Sequence, residues 1–148
     1  MAIRTIRQDG DEVLRKKSKT VDEITPKIKE LIEDMIDTMY EADGVGLAAP
    51  QVGILKRIFV IDVGEGPMVF INPEILETGG TQTGDEGCLS IPGYYAPVCR
   101  PNYVKVKFLD ENMQEQLLEA EDFFARAILH ENDHLNGVLF KDRVEKSE

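Results

Sequence analysis

The segment ILHENDHLNG, residues 128–137, holds the only two histidines of the chain, four positions apart with a glutamate between them. In a helix this spacing sets both imidazoles on one face, about 6 Å apart along the axis, where one metal ion reaches both. Phe123, Ala127, His130 and His134 fall on one helical stripe, and Phe124, Ile128, Glu131 and Leu135 on the stripe beside it. The apolar members predict a buried helix, and buried imidazoles are either hydrogen-bonded core residues or metal ligands. The intervening Glu131 favours the metal, because H-E-x-x-H sets a carboxylate beside a metal-bound water, where it acts as general base.

Composition narrows the setting of this helix. A chain of 148 residues, 42% of them hydrophobic, suits one domain over residues 1–148 that buries roughly 70% of its extended-chain surface. A formal net charge of -11 argues against a surface that tracks phosphates, and RKKSK (15–19) is the one basic cluster, so no nucleic-acid partner is expected. No apolar run approaches the ~18 residues of a membrane span, and the first residues lack a signal peptide's apolar segment. Two cysteines are too few for a disulfide framework. A reduced, cytoplasmic setting is expected, where cysteine can serve as a thiolate ligand.

TPKIKELIEDMIDTMYEADG (25–44) reads as a helix capped by Thr25, with Pro26 in its first turn and Gly44 past its end. Ile28, Leu31, Ile32, Met35, Ile36, Met39 and Tyr40 recur at helical spacing and should face the core. Strand-like runs follow at 57–63, 68–76, 95–100, 103–110 and 115–121, separated by Gly, Pro, Asn and Asp turns. EDFFARAILHENDHLNG (121–137) is the second helix, stopped by Asn136 and Gly137. A helix, a run of strands and a helix predict an α+β fold, with small antiparallel or mixed sheets packed around the C-terminal helix.

A catalytic metal needs a third protein ligand and an open position. In the H-E-x-x-H-x-x-G-x-x-H pattern the third histidine's place is taken by Phe140, which cannot ligate. Beyond Gly137 only Asp142 and Glu145 carry carboxylates within range, in a charged tail, so the ligand is expected upstream. GDEGCLSIPG (84–93) offers Cys88 in a glycine-bounded turn, whereas Cys99, in APVCR, reads as a small buried hydrophobe. Chemistry alone prefers Cys88. GVGLAAPQVG (44–53) is too small and apolar for an ordinary surface loop; Gly44 and Gly46 allow another backbone to come close, and Gln51 can aim an amide donor at a developing oxyanion.

Taken together, GVGLAAPQVG, EGCLSIPG and HENDHLNG strongly resemble, in order and wording, the three signatures of the peptide deformylase family. DEVLRKKSKTV (11–21) is similar to the family's opening segment, and the resemblance covers nearly the whole chain. It implies Cys88, His130 and His134 as metal ligands, Glu131 as catalytic acid/base, and Gln51 with the Leu89 N–H as oxyanion donors. It further implies a peptide track along Val45, Gly46, Gly87 and Arg100, and a methionine pocket formed in part by Val45, Leu89 and Ala127. The implied cofactor is one divalent ion, Fe(2+), with Zn(2+), Ni(2+) or Co(2+) as substitutes. The implied reaction removes formyl from formyl-methionyl nascent polypeptides, with transient contact to the ribosome. Two departures stand out: Leu129 where many members have glutamine before the first histidine, and an end at Glu148 where many continue as a helix, which withdraws the basis for a docking role assigned to such an extension. An endopeptidase would need the missing downstream ligand, and a non-catalytic zinc module would need a fourth ligand and have no use for Glu131.

Overall fold

The computed structural model describes residues 2–144. Glu145, weighed above as a ligand, lies outside the described residues. The first long helix, α1, spans Pro26–Glu41, with Thr25 Oγ1 accepting from the Ile28 N–H at 3.2 Å, so cap and stripe follow the sequence pattern. Leu31, Ile32, Met35 and Met39 are buried, and Ile28 and Ile36 pack against them. Tyr40 corrects the expectation: it is 45% exposed, and its hydroxyl donates to Asp62 at the surface. A phenol satisfies both its ring and its polar tip there.

Seven strands and a second helix follow: β1 (Gly46–Ala48), β2 (Ile58–Ile61), β3 (Met68–Gly79), β4 (Gln82–Cys88), β5 (Ile91–Arg100), β6 (Tyr103–Leu109), β7 (Glu115–Glu121) and α2 (Asp122–Leu135). Five form an antiparallel sheet in the order β1-β2-β3-β6-β7, and β4 and β5 form a separate antiparallel pair. The fold is therefore α+β. β1 and β4 add to the sequence reading, because three residues of Gly-Leu-Ala and a strand rich in Gly and acidic residues carry no period-two signal.

The short strand β2 explains the layering. All four of its residues are buried, so it reads as a continuous apolar run rather than an alternation. Ile58 and Val60 pack with Leu31, Ile32, Met35 and Met39 of α1, whereas Phe59 and Ile61 join Phe70, Phe108, Ile128 and Leu135 on the α2 side. The sheet thus holds α1 on one face and α2 on the other. β6 is covered on one face only, and Val104, Val106 and Phe108 are its buried set.

Two backbone positions hold the chain ends against this frame. Asn72 adopts φ +51 at an irregularity in β3, and its amide binds both the N–H and the C=O of Val21 at 2.8 Å. Gly137 leaves α2 at φ +76, where a Cβ would lie 2.5 Å from the Arg15 carbonyl oxygen; only glycine passes there. Among the described residues no helix is long and apolar enough to cross a membrane.

Candidate active site

α2 runs between the five-stranded sheet and the β4–β5 pair, and its two faces do different work. Ala125, Ile128 and Leu135 meet the sheet, while Arg126 and His130 reach β4 and β5. One potential ligand atom each from Cys88, His130 and His134 lies within 4.8 Å of the others. Cys88 Sγ is 3.3 Å from His134 Nε2, and the two imidazoles stand edge to face with centroids 5.1 Å apart. Phe140, in the position where a downstream histidine would fall, packs its ring 5.9 Å from that of His130. Asp142 is not part of this cluster; it pairs with Arg15 and accepts from the Leu139 N–H.

His130 is oriented by a residue that sequence reasoning did not single out. Glu86, buried on β4, receives His130 Nδ1 at 2.8 Å, which leaves Nε2 for the cluster. Arg100 and Arg126 bind the same carboxylate, Arg126 at 2.6 Å, and Arg100 also reaches Asp133 at 3.0 Å. Burial alone would raise the Glu86 carboxyl, but the His130 and Arg100 hydrogen bonds outweigh it and hold it down at about 2. The sign of Arg126 in the sequence is a charge four residues before His130 on an apolar helix face, and that of Glu86 is its place at the head of the EGCLS signature, which by itself assigns it no role.

The electrostatics match the donor set. Burial disfavours the His130 cation, yet the Cys88 sulfur and Glu86 raise it to about 10. A proton and a divalent cation compete for that Nε2 lone pair, so the same negative groups favour a metal ion in the proton's place. His134 is pushed well below its usual value by burial and then by the charge of His130, and a neutral imidazole is the form that ligates. Glu131, buried beside this centre, is raised to about 7 by burial, with His130 opposing. Its Oε1 is buried with no hydrogen-bond partner, and Oε2 lies 4.0 Å from His130 Nε2. A cysteine sulfur, two imidazoles and an unpartnered carboxylate oxygen beside them fit one divalent ion.

These groups open on a cleft of about 500 Å³, lined among others by Val45, Gly46, Gln51, Gly87, Leu89 and Ala127. All six were expected at the site. Arg100 was expected along the peptide track, and that expectation is corrected: it is 4% exposed, does not line the cleft and is engaged by Glu86 and Asp133. Cys99, expected to be buried, is exposed. Both corrections have one cause. In β5 the inward set is Ala96, Val98 and Arg100, so the pleat turns Cys99 outward and carries Arg100 under the cleft. Phe123, from the same stripe as the histidines, is also exposed, at the cleft rim. A Cβ at Gly44 or Gly46 would run into the side chain of Leu89 or Glu131, respectively.

The family model for polypeptide deformylase matches residues 3–148. This chain belongs to the polypeptide deformylase family. It is 62% identical to a peptide deformylase of Clostridium botulinum over 146 residues, which span 99% of each chain. It is 65% identical to peptide deformylase 1 of Clostridium acetobutylicum over 148 residues, 100% of this chain and 99% of that one. The crystal structure of peptide deformylase from Thermotoga maritima superposes with a TM-score of 0.95 at 49% identity, covering 97% of this chain and 99% of the other. That of a peptide deformylase from Synechococcus elongatus, solved in complex with actinonin, gives 0.93 at 52% identity over 95% and 78%. As a deformylase the chain is a hydrolase that removes the N-formyl group of newly made polypeptides and releases formate. The family is metal-dependent, and Cys88, His130 and His134 form the candidate site for an ion.

Proposed function

We propose that residues 1–148 act as one catalytic domain in which Cys88, His130 and His134 hold a single ferrous ion, with zinc, nickel or cobalt as substitutes. The observation that carries this reading is the convergence of the three donor atoms within 4.8 Å beside the unpartnered Glu131 Oε1. Soft thiolate and imidazole ligands suit any of these ions, and zinc outcompetes iron in the usual affinity order, so the purified protein can carry a substitute. When bound, the ion supplies Lewis acidity and lowers the pKa of a water toward ~7.

The residues of the chain do the rest. Glu131 accepts the proton of the attacking water and returns it to the leaving amine nitrogen. Gln51 Nε2 and the Leu89 N–H donate to the formyl oxygen as charge builds there, and one such donor is worth ~3 kcal/mol. Val45, Gly46 and Gly87 receive the extended peptide along the cleft, as strand-addition binders do. Val45, Leu89 and Ala127 enclose the methionine side chain. We extend to this cleft the actinonin binding seen in the Synechococcus protein. The substrate is the nascent chain, so the enzyme works in the cytoplasm and meets the ribosome only transiently.

The formyl carbon carries only hydrogen, whereas an acetyl carbon brings a methyl group into the reacting position, worth ~1–3 kcal/mol in a close pocket. The test is a product analysis with formyl-Met and acetyl-Met peptides. Formate from the first, at least about tenfold less acetate from the second, and no internal cleavage are expected. Internal cleavage with the formyl group intact would overturn the reading.

A further inference from the structure

Ser90 is completely buried in the turn that carries Cys88, and its hydroxyl accepts a hydrogen bond from Gln51 Nε2 at 3.0 Å. Gln51 is 1% exposed, and its Oε1 accepts from the Ala48 N–H at 2.9 Å. These two bonds decide which way the amide faces: its oxygen toward β1, its amino group toward the β4–β5 turn. Nε2 then reaches Cys88 Sγ at 3.6 Å, and the Ser90 N–H lies 3.4 Å from the same sulfur. Residue 90 therefore supplies one donor to the sulfur and aims a second.

The backbones are held to match. The Arg7 N–H donates to the Gln51 carbonyl at 2.6 Å and the Asp9 N–H to the Ser90 carbonyl at 2.8 Å. Alternate amides of one N-terminal segment thus join two loops that belong to different sheets. With the main chains clamped, the remaining freedom is rotation of the Gln51 side chain, which the Ala48 N–H restrains at the oxygen and the Ser90 hydroxyl at the amino group. An alanine at 90 would fill nearly the same space while leaving a buried amide donor one acceptor short.

We propose that Ser90 is a positioning residue for the deformylation centre: it takes one N–H of the Gln51 amide, so that the other faces the Cys88 sulfur and turns to the reacting oxygen when substrate is bound, and with that amide it restrains electron donation from the sulfur to the bound ion. The inference rests on the roles proposed above for Gln51 and Cys88. Hydrogen bonds to a ligating sulfur draw charge from it, and such outer partners commonly govern activity tenfold or more.

The test uses the full chain loaded with cobalt(II), whose sulfur-to-metal charge-transfer band reports the hydrogen bonding of the thiolate. In Ser90→Ala the band moves to lower energy, kcat falls about tenfold, and KM stays within about twofold. Ser90→Thr, which keeps the hydroxyl, restores both. In a Gln51→Ala background the same Ser90→Ala change costs less than about twofold, because the two residues act as one unit. An unmoved band, or an equal loss in the Gln51→Ala background, overturns the proposal and leaves Ser90 a packing residue. If Ser90→Ala does not fold, Ser90→Cys, similar in size but a weak acceptor, is held to the same outcomes. The band is read without turnover. An enzyme inactive on formyl-Met peptides would therefore sink the functional reading while this measurement still judged Ser90.

Discussion

The Cβ that any residue other than glycine would carry at position 46 lies 2.5 Å from Glu131 Oε2. β1 and α2 come this close because the strand has no side chain at the point where the Glu131 carboxylate rests. The backbone of Gly46 is not in the left-handed region, so alanine costs little in strain, and the flexible carboxylate yields to it. Gly46→Ala is expected to fold and bind metal while losing ~10²-fold or more in kcat, since a displacement of about 1 Å of a positioned group commonly costs that much. Activity within a few-fold of wild type would show that Glu131 does not need its present position.

Glu131→Gln should leave size and packing intact but remove the proton carrier. Turnover should fall ~10²–10⁴-fold with metal content unchanged. Steady-state assay beside metal analysis separates this outcome from metal loss, and wild-type turnover would remove Glu131 from the mechanism.

Cys88→Ala should lose most of the bound ion, whereas Cys99→Ala should keep both metal and activity. Cys99 is exposed, and its loss should move stability by no more than ~0.5 kcal/mol. Stoichiometric metal in both variants would place the third ligand elsewhere. The iron form should also lose activity in air, through oxidation of the ion and of the sulfur, and anaerobic preparation should prevent it.

Glu86→Gln breaks the buried junction of His130, Arg100 and Arg126. It leaves two guanidinium groups without their shared counter-charge, a change worth about 3–5 kcal/mol. His130 also exchanges a charged acceptor for a neutral amide that can turn away from its ring, and metal affinity should weaken ~10–100-fold. Chelator competition and thermal unfolding measure the two effects separately. Unchanged affinity would mean that α2 alone orients the imidazole.

Asp34 gives a prediction away from the site. Burial opposes its ionisation, but hydrogen bonds from the Ala2 N–H at 2.8 Å and Arg4 Nε at 2.9 Å outweigh burial and hold the carboxyl below 3.8. A lowered folded value contributes stability above the unfolded value and loses it as pH falls through the folded one. The Tm gap between wild type and Asp34→Asn should therefore hold steady from about pH 7 to 5 and shrink below about pH 4. A constant gap throughout would exclude ionised Asp34 as the tie for the first residues.

Much of the local structure was legible because it depends on short periods. The cap and stripe of α1 follow from Thr25, Pro26 and residues three and four apart, and the α2 boundaries follow from Gly137 and the apolar positions. β1 and β4 were not legible, since their strand character comes from partners: Gly46 pairs with Ile61, and Glu86 with Ala96. Arg100 was misplaced because a motif shows which residues gather but not which side of a pleat each one takes.

By itself the sequence determined the chemistry on offer: two imidazoles and a carboxylate on one helix face, a cysteine in a tight turn, and three signatures in family order. Only the tertiary structure decided how that chemistry is held. Cys88 meets His134 across 46 positions, and Glu86 meets His130 across 44. Gln51 meets Ser90 across 39. The reason is physical: helical and strand periods act over a few residues, whereas these contacts depend on how the β4–β5 pair packs against α2. That packing is set by the buried Glu86–Arg100–Arg126 junction and by glycines that leave room for the side chains of another element.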